Sequence, residues 1–332
     1  MVLKICWAGW TGPELSECAS GILALDPDPQ FYILGSATER DESAFWMGHG
    51  RRFAYLSSTQ RFFEDMVVGG YNVVLHSSNL YAAGHRRCVY SLDPAGRSIT
   101  DYQEWRKLNA VKILHDAESC GGPLDFYIKL ARQCDAVITY GHAMKEFCDK
   151  EGIPCYWSFV PCPSRLEDWG LSRDVSVSFT GSNLEKDYRG QLRRVLLDLP
   201  DDYTVFIQGG AFDGLRVDQY VELLNRSKIC QCTHSSASGS KFPMHNKNRE
   251  AKALLCGALP ITEHFPQADG YLVPGKEKVV FNTLDELREL LIYYLEHEEA
   301  RKQIITAGQE KIRNNFTSEH VLTNAFQYLK LI

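Results

Sequence analysis

The sequence predicts an α/β protein built from two doubly wound parallel sheets. Three observations carry this. Short Val/Ile-rich runs ending in polar residues alternate with stretches of helical periodicity, and this happens twice. A proline-containing segment separates the two series. A chain of 332 residues also exceeds the usual single core, so two domains of about 150 residues each are expected.

The elements follow in order. LKICWAG reads as a strand entering a glycine turn, and PELSECASGILAL carries apolar residues at helical spacing. QFYILGSA, NVVLHSS, VKILHD and AVITYG are further strands of the buried type. PLDFYIKLARQC is a helix, and HAMKEFCDKEG is another that Gly152 ends. In IPCYWSFVPCPSRLEDWGLSRD, Pro154, Pro161 and Pro163 are expected to prevent regular structure, so the domain boundary is set here. The second series runs VSVSFTGS, YRGQLRRVLLDL, YTVFIQGG, VDQYVELLNRS, KICQCTH, a helix at 248–256, ALPITE and KVVF. The expected division is an N-terminal domain at 1–165, a C-terminal domain at 166–316, and a last helix within 317–332 placed to pack back on the first. Ligands of doubly wound domains sit beyond the C-terminal ends of the strands, so two such domains are expected to face a cleft.

Bulk properties narrow the class. The net charge of −6 is spread over both halves, neither of which is basic, so nucleic acid gains no electrostatic support as a partner. No run of about 18 apolar residues is present, so no membrane span is expected, and the first residues lack the pattern of a signal peptide. Eleven scattered cysteines without a CxxC pair read as reduced buried thiols, which fits a cytoplasmic location. Cys230 and Cys232 alternate on a strand and share a face.

The chemistry concentrates between Ser227 and Phe281. There a buried strand, the polar loop SSASGSKFPMHNKN and the helix REAKALLCG follow one another. Backbone N–H groups and a helix N-terminus at such a strand end suit a phosphate, and Lys241, Lys247 and Arg249 cluster at that entrance. Gly181-Ser182 and Gly209-Gly210 follow the neighbouring strands and let a ligand approach backbone closely. Neither forms a GxGxxG or P-loop signature. In the N-terminal half, His115, Asp116 and Glu118 end the strand VKILH, where a base for a hydroxyl acceptor would sit. His49 in MGHGRR and Arg86 in the long irregular stretch 79–104 are acceptor-side candidates. Asp26-Pro27-Asp28 reads as a turn and not as a metal-binding acidic pair. No second ligand cluster accompanies His115, Asp116 and Glu118, so a metal site is not expected.

The run Arg249, Leu255-Cys256-Gly257, Ala258-Leu259-Pro260-Ile261 and Pro274-Gly275-Lys276-Glu277, followed by closing helices, resembles the C-terminal half of group 1 glycosyltransferases. The likeness is to the branch related to spore-maturation (CgeB-like) proteins, and it covers roughly residues 174–330. The resemblance implies a GT-B architecture with a nucleotide-sugar at the C-terminal domain and Arg249 near its diphosphate. It supports Asp116 over its neighbours as the base. One departure stands out: Lys252 occupies the place of a Glu that in related enzymes meets the nucleotide ribose. The nearest acid, Glu250, lies about 200° around the helix and either takes that role or serves as a first-turn acid.

The implied activity is metal-independent transfer of a sugar, hexosyl or pentosyl, from a nucleoside diphosphate to a hydroxyl, with no cofactor beyond that co-substrate. A nucleotide-sugar epimerase and a catalytically silent nucleotide- or glycan-binding relative are the alternatives. Glycan, protein, metabolite and modified DNA base all stand as acceptors.

Overall fold

The computed structural model describes residues 2–9, 13–33, 54–55, 63, 66–77, 103–116, 124–181, 187–208, 215, 217–235 and 247–332. The chain forms two compact units, one of Met1–Pro163 with Ser318–Ile332 and one of Ser164–Thr317.

The first unit carries a seven-stranded parallel sheet. Its strands are β1 (Ile5–Gly9), β2 (Gln30–Ile33), β3 (Ala54–Tyr55), β4 (Val73–Ser77), β5 (Val111–Asp116), β6 (Ala136–Thr139) and β7 (Cys155–Trp157), in spatial order β3-β2-β1-β4-β5-β6-β7. The chain winds outward from β1 to one side and then from β4 to the other, which makes the sheet doubly wound. Among the helices are α1 (Pro13–Leu25), α2 (Gln103–Lys107), α3 (Leu124–Ala131) and α4 (His142–Glu151). Ile5, Val73, Leu75, Ile113, Leu114 and Val137 are fully buried, which explains why these strands are apolar along most of their length. Gly152 ends α4 in the left-handed region at φ 72°, the conformation glycine adopts without a Cβ penalty. Asp26 shapes a turn: its carboxylate accepts from the Ile5 and Asp28 amides at 2.6 and 2.9 Å.

Three short elements depart from the sequence expectation, the first being the two-residue strand β3, too short for an apolar run to announce it. β7 forms inside the proline-containing segment because Pro154 lies just ahead of it and needs no donor there; its carbonyl accepts from Val137 N at 2.9 Å. α2 begins at the end of the stretch read as irregular, pinned by fully buried Trp105, whose indole donates to the Gln133 carbonyl at 2.8 Å.

The second unit holds a five-stranded parallel sheet of β8 (Val175–Thr180), β9 (Val205–Gln208), β10 (Ser227–Gln231), β11 (Leu259–Glu263) and β12 (Val279–Phe281), in the order β12-β11-β10-β8-β9. Its helices include α5 (Asp187–Leu197), α6 (Val217–Arg226), α7 (Arg249–Leu255), α8 (Leu284–Glu296) and α9 (Glu298–Asn315). The strand order reverses beside β8, so its ligand crevice falls at the C-terminal ends of β8 and β10. Val177, Phe179, Ile229, Leu259 and Ile261 from the sheet pack with Leu192, Leu196, Leu287 and Leu291 from α5 and α8.

A final helix, α10 (Ser318–Tyr328), belongs to the first unit and lies against α1. The two helices approach so closely that a Cβ at Gly21 would collide with the Ser318 carbonyl.

Candidate functional site

At the C-terminal end of β10 the chain continues through Cys232, Thr233, His234 and Ser235, all buried. The carboxylate of Glu263, the last residue of β11, turns back into this segment and is itself fully buried. Its Oε1 accepts from Thr233 Oγ1 at 2.7 Å, from the His234 amide at 2.6 Å and from the Ser235 amide at 2.9 Å. The backbone donors expected to cradle a phosphate are therefore occupied, at 234 and 235, by an internal carboxylate.

Cationic side chains lie around the same segment instead. Arg189, from the first turn of α5, donates from Nε to Ser235 Oγ and from Nη2 to the Ser235 carbonyl, both at 3.0 Å. Lys247 Nζ meets that carbonyl at 2.6 Å. Burial, and then the nearby charge of Arg249, push the Arg189 guanidinium down to about 10, with Glu263 opposing. Arg249 itself buries an Nη1 that has no hydrogen-bond partner among the described residues. Arg189 and Lys247 thus converge on the Ser235 carbonyl with the charge of Arg249 nearby, an arrangement that suits an anion. α7 has only seven residues, so its dipole adds little, and the side chains dominate.

Glu250, in the first turn of α7, is 1% exposed and faces inward. Its Oε1 lies 3.4 Å from His234 Nε2 and 3.7 Å from Lys278 Nζ. Burial resists its ionisation, yet Lys278 and His234 outweigh that penalty and hold the carboxyl at about 2. Lys278 is fully buried and also approaches Asp269 Oδ1 at 3.7 Å, while Asp269 Oδ2 sits 2.8 Å from His264 Nε2. Lys252 is buried on the same helix. Cys230 and Cys232 share a face as their spacing requires, with sulfurs 3.8 Å apart. Gly181 sits at the exit of β8, its N–H on the Gln208 carbonyl at 3.1 Å. Ser182, Gly209, Gly210 and Lys241 lie outside the described residues.

In the first unit, His115 and Asp116 end β5 and are both buried. His115 Nε2 is 2.7 Å from Tyr140 Oη and 3.2 Å from Cys18 Sγ. Burial lowers its imidazole to about 4, against a backbone hydrogen bond that raises it, so the ring is neutral at ordinary pH. Asp116 Oδ2 accepts from Thr139 Oγ1 at 2.7 Å. His49, Arg86 and Glu118 lie outside the described residues.

The sequence reading missed Arg189, Glu263, His234 and Lys278. Arg189 had a visible signal: it shares the buried face of α5 with Leu192 and Leu196, three and seven residues on. Glu263 is the one charged residue of its buried strand, whereas nothing local marks Lys278 as a buried partner of Glu250. Among the described residues no group of three His, Cys, Asp or Glu is arranged to hold a metal, and no helix is long and apolar enough to cross a membrane.

Known proteins match this architecture. HepE from Anabaena, solved with UDP and glucose, superposes with a TM-score of 0.69 at 11% identity over 100% of both chains. The fold is GT-B. A glycosyltransferase from Rickettsia africae gives a TM-score of 0.60 at 12% identity over 99% of each chain. The UDP-GlcNAc 2-epimerase of Neisseria meningitidis bound to UDP-GlcNAc gives 0.59 at 11% identity, over 99% of this chain and 100% of that one. Residues 194–327 match a family model described as glycosyl transferase-like, which covers most of the second GT-B unit. No curated protein matches the chain by sequence.

Proposed function

We propose that the protein is a metal-independent glycosyltransferase that uses a nucleoside diphosphate sugar as donor and a hydroxyl as acceptor. The single observation that carries this is the guanidinium pair at the β8–β10 crevice. Arg249 keeps a buried Nη1 without a hydrogen-bond partner among the described residues, near an Arg189 already destabilised by burial and by its neighbour's charge. A diphosphate at this point relieves that repulsion and fills the vacant donor. In a transfer, Arg249 and Lys247 would hold the departing diphosphate, the task that a metal ion performs elsewhere. The family match over 194–327 and the HepE structure with UDP and glucose support the same reading.

The base is assigned to Asp116, which the resemblance favours over its neighbours; burial lowers the His115 imidazole to about 4 and makes it a weak proton acceptor. The run from Arg249 to Cys256-Gly257 supports placement in the spore-maturation-like branch. The nine described cysteines are all free thiols, which supports a reducing cytoplasm as the compartment.

The test is binding of UDP, GDP, ADP, CDP and dTDP by calorimetry, with and without magnesium. Micromolar binding of one of them, indifferent to magnesium and weakened in Arg249→Ala, is the expected result. Absence of binding by all five would overturn the reading. The full-length likeness to an epimerase favours one competitor, distinguished by donor turnover without any acceptor.

A further inference from the structure

We infer that Glu263 is a positioning residue for anion recognition at this crevice, a role that rests on the donor-site reading above. Its carboxylate is fully buried and gathers three donors onto one oxygen, Thr233 Oγ1 and the amides of His234 and Ser235. Three such hydrogen bonds fix the backbone of 233–235 as a nest around an internal anion. With its N–H committed inward, Ser235 presents its carbonyl to Arg189 Nη2 and Lys247 Nζ at 3.0 and 2.6 Å. That carbonyl sets where both cationic side chains stand. Two consequences follow. The amides of 234 and 235 are not donors to a bound diphosphate, so cationic side chains recognise it. Those side chains are placed by Glu263, which does not itself touch the ligand.

The experiment uses the full chain with two probes, inorganic pyrophosphate and UDP, measured by calorimetry in Glu263→Gln, Thr233→Val, Lys247→Met and the double variant Glu263→Gln/Lys247→Met. Gln keeps an acceptor oxygen but removes the charge, and Thr233→Val removes one of the three donors while leaving the carboxylate. The expected result is a loss of about tenfold or more in Glu263→Gln, the scale of a charge-assisted contact, with a smaller loss in Thr233→Val. In the Lys247→Met background the Glu263→Gln loss should shrink to about threefold or less, because the two act through one carbonyl. Amide exchange at His234 and Ser235 should quicken in Glu263→Gln.

A residue that merely stabilised the fold would lower the melting temperature and the binding-competent fraction. It would leave affinity per folded molecule unchanged and give additive losses, and that result would overturn the proposal. Should Glu263→Gln fail to fold, Thr233→Val alone and with Lys247→Met decides by the same additivity criterion. A wild-type protein that binds neither pyrophosphate nor any of the five diphosphates would overturn the donor-site reading and this role together. Wild-type binding with indifferent variants would overturn this role alone.

Discussion

Arg189 and Ser235 are joined twice across 46 residues of sequence, Nε to the hydroxyl and Nη2 to the carbonyl, each at 3.0 Å. The geometry needs a planar fork that a lysine does not have. Arg189→Lys therefore keeps the charge and loses the double contact, and it should lower stability by about 1.5–3 kcal/mol. Denaturant unfolding of the two proteins checks this. Equal midpoints and slopes would mean that charge alone matters at this position.

Arg249 Nη1 is a buried donor with no hydrogen-bond partner among the described residues. Arg249→Ala should weaken nucleoside diphosphate binding by about 1.5–3 kcal/mol while leaving the fold intact. Unchanged affinity in a folded variant would remove Arg249 from the donor site.

Two buried groups set the acid limb of stability, and their windows differ. His115 is held at about 4 in the fold against 6.5 ordinarily, so below 6.5 the unfolded chain takes up the proton first. Its contribution is complete above about 6.5 and is lost as pH falls toward about 4, for a total of about 3 kcal/mol. Glu250 is held at about 2 against 4.5, so its contribution is complete above about 4.5 and is lost on falling toward 2. Unfolding free energies measured from pH 8 to 3 should fall in both windows. His115→Gln should flatten the slope between 6.5 and 4 and leave the lower one, whereas Glu250→Gln should do the reverse.

The alternation of apolar runs and helical stretches made nearly every strand legible, because a buried parallel strand needs a continuous apolar run and little else. The two edge strands are not legible: β3 has two residues, too few for a pattern, and Pro154 reads as a breaker although one residue ahead of β7 it breaks nothing. The candidate site was legible where charge sits at the loop-to-helix entrance, as at Lys247 and Arg249. It was not legible where a charged side chain is buried by partners far away in sequence. Glu250 illustrates this: helical geometry placed it on the opposite side of α7 from Lys252, but only the packed structure shows Lys278 and His234 as its partners.

Gly257 closes α7 at φ 77°, a conformation that costs an L-residue roughly 1–2 kcal/mol. Space is lacking as well: a Cβ there would run into the Arg173 guanidinium and the Asp168 carboxylate. Those two are paired at 2.6 Å, and Arg173 also donates to the Cys256 carbonyl at 2.9 Å and the Ser227 carbonyl at 2.7 Å. The arginine thus ties the C-terminal end of α7 to the start of β10, and moving it to admit a methyl group loosens both. Gly257→Ala should therefore cost more than the backbone conformation alone, about 2–4 kcal/mol in thermal or denaturant unfolding. Arg173→Ala should shrink the excess, because it removes one of the two groups a Cβ meets and frees the Asp168 carboxylate to turn aside. Equal costs in both backgrounds would show that the arginine yields freely and that the left-handed turn alone requires glycine.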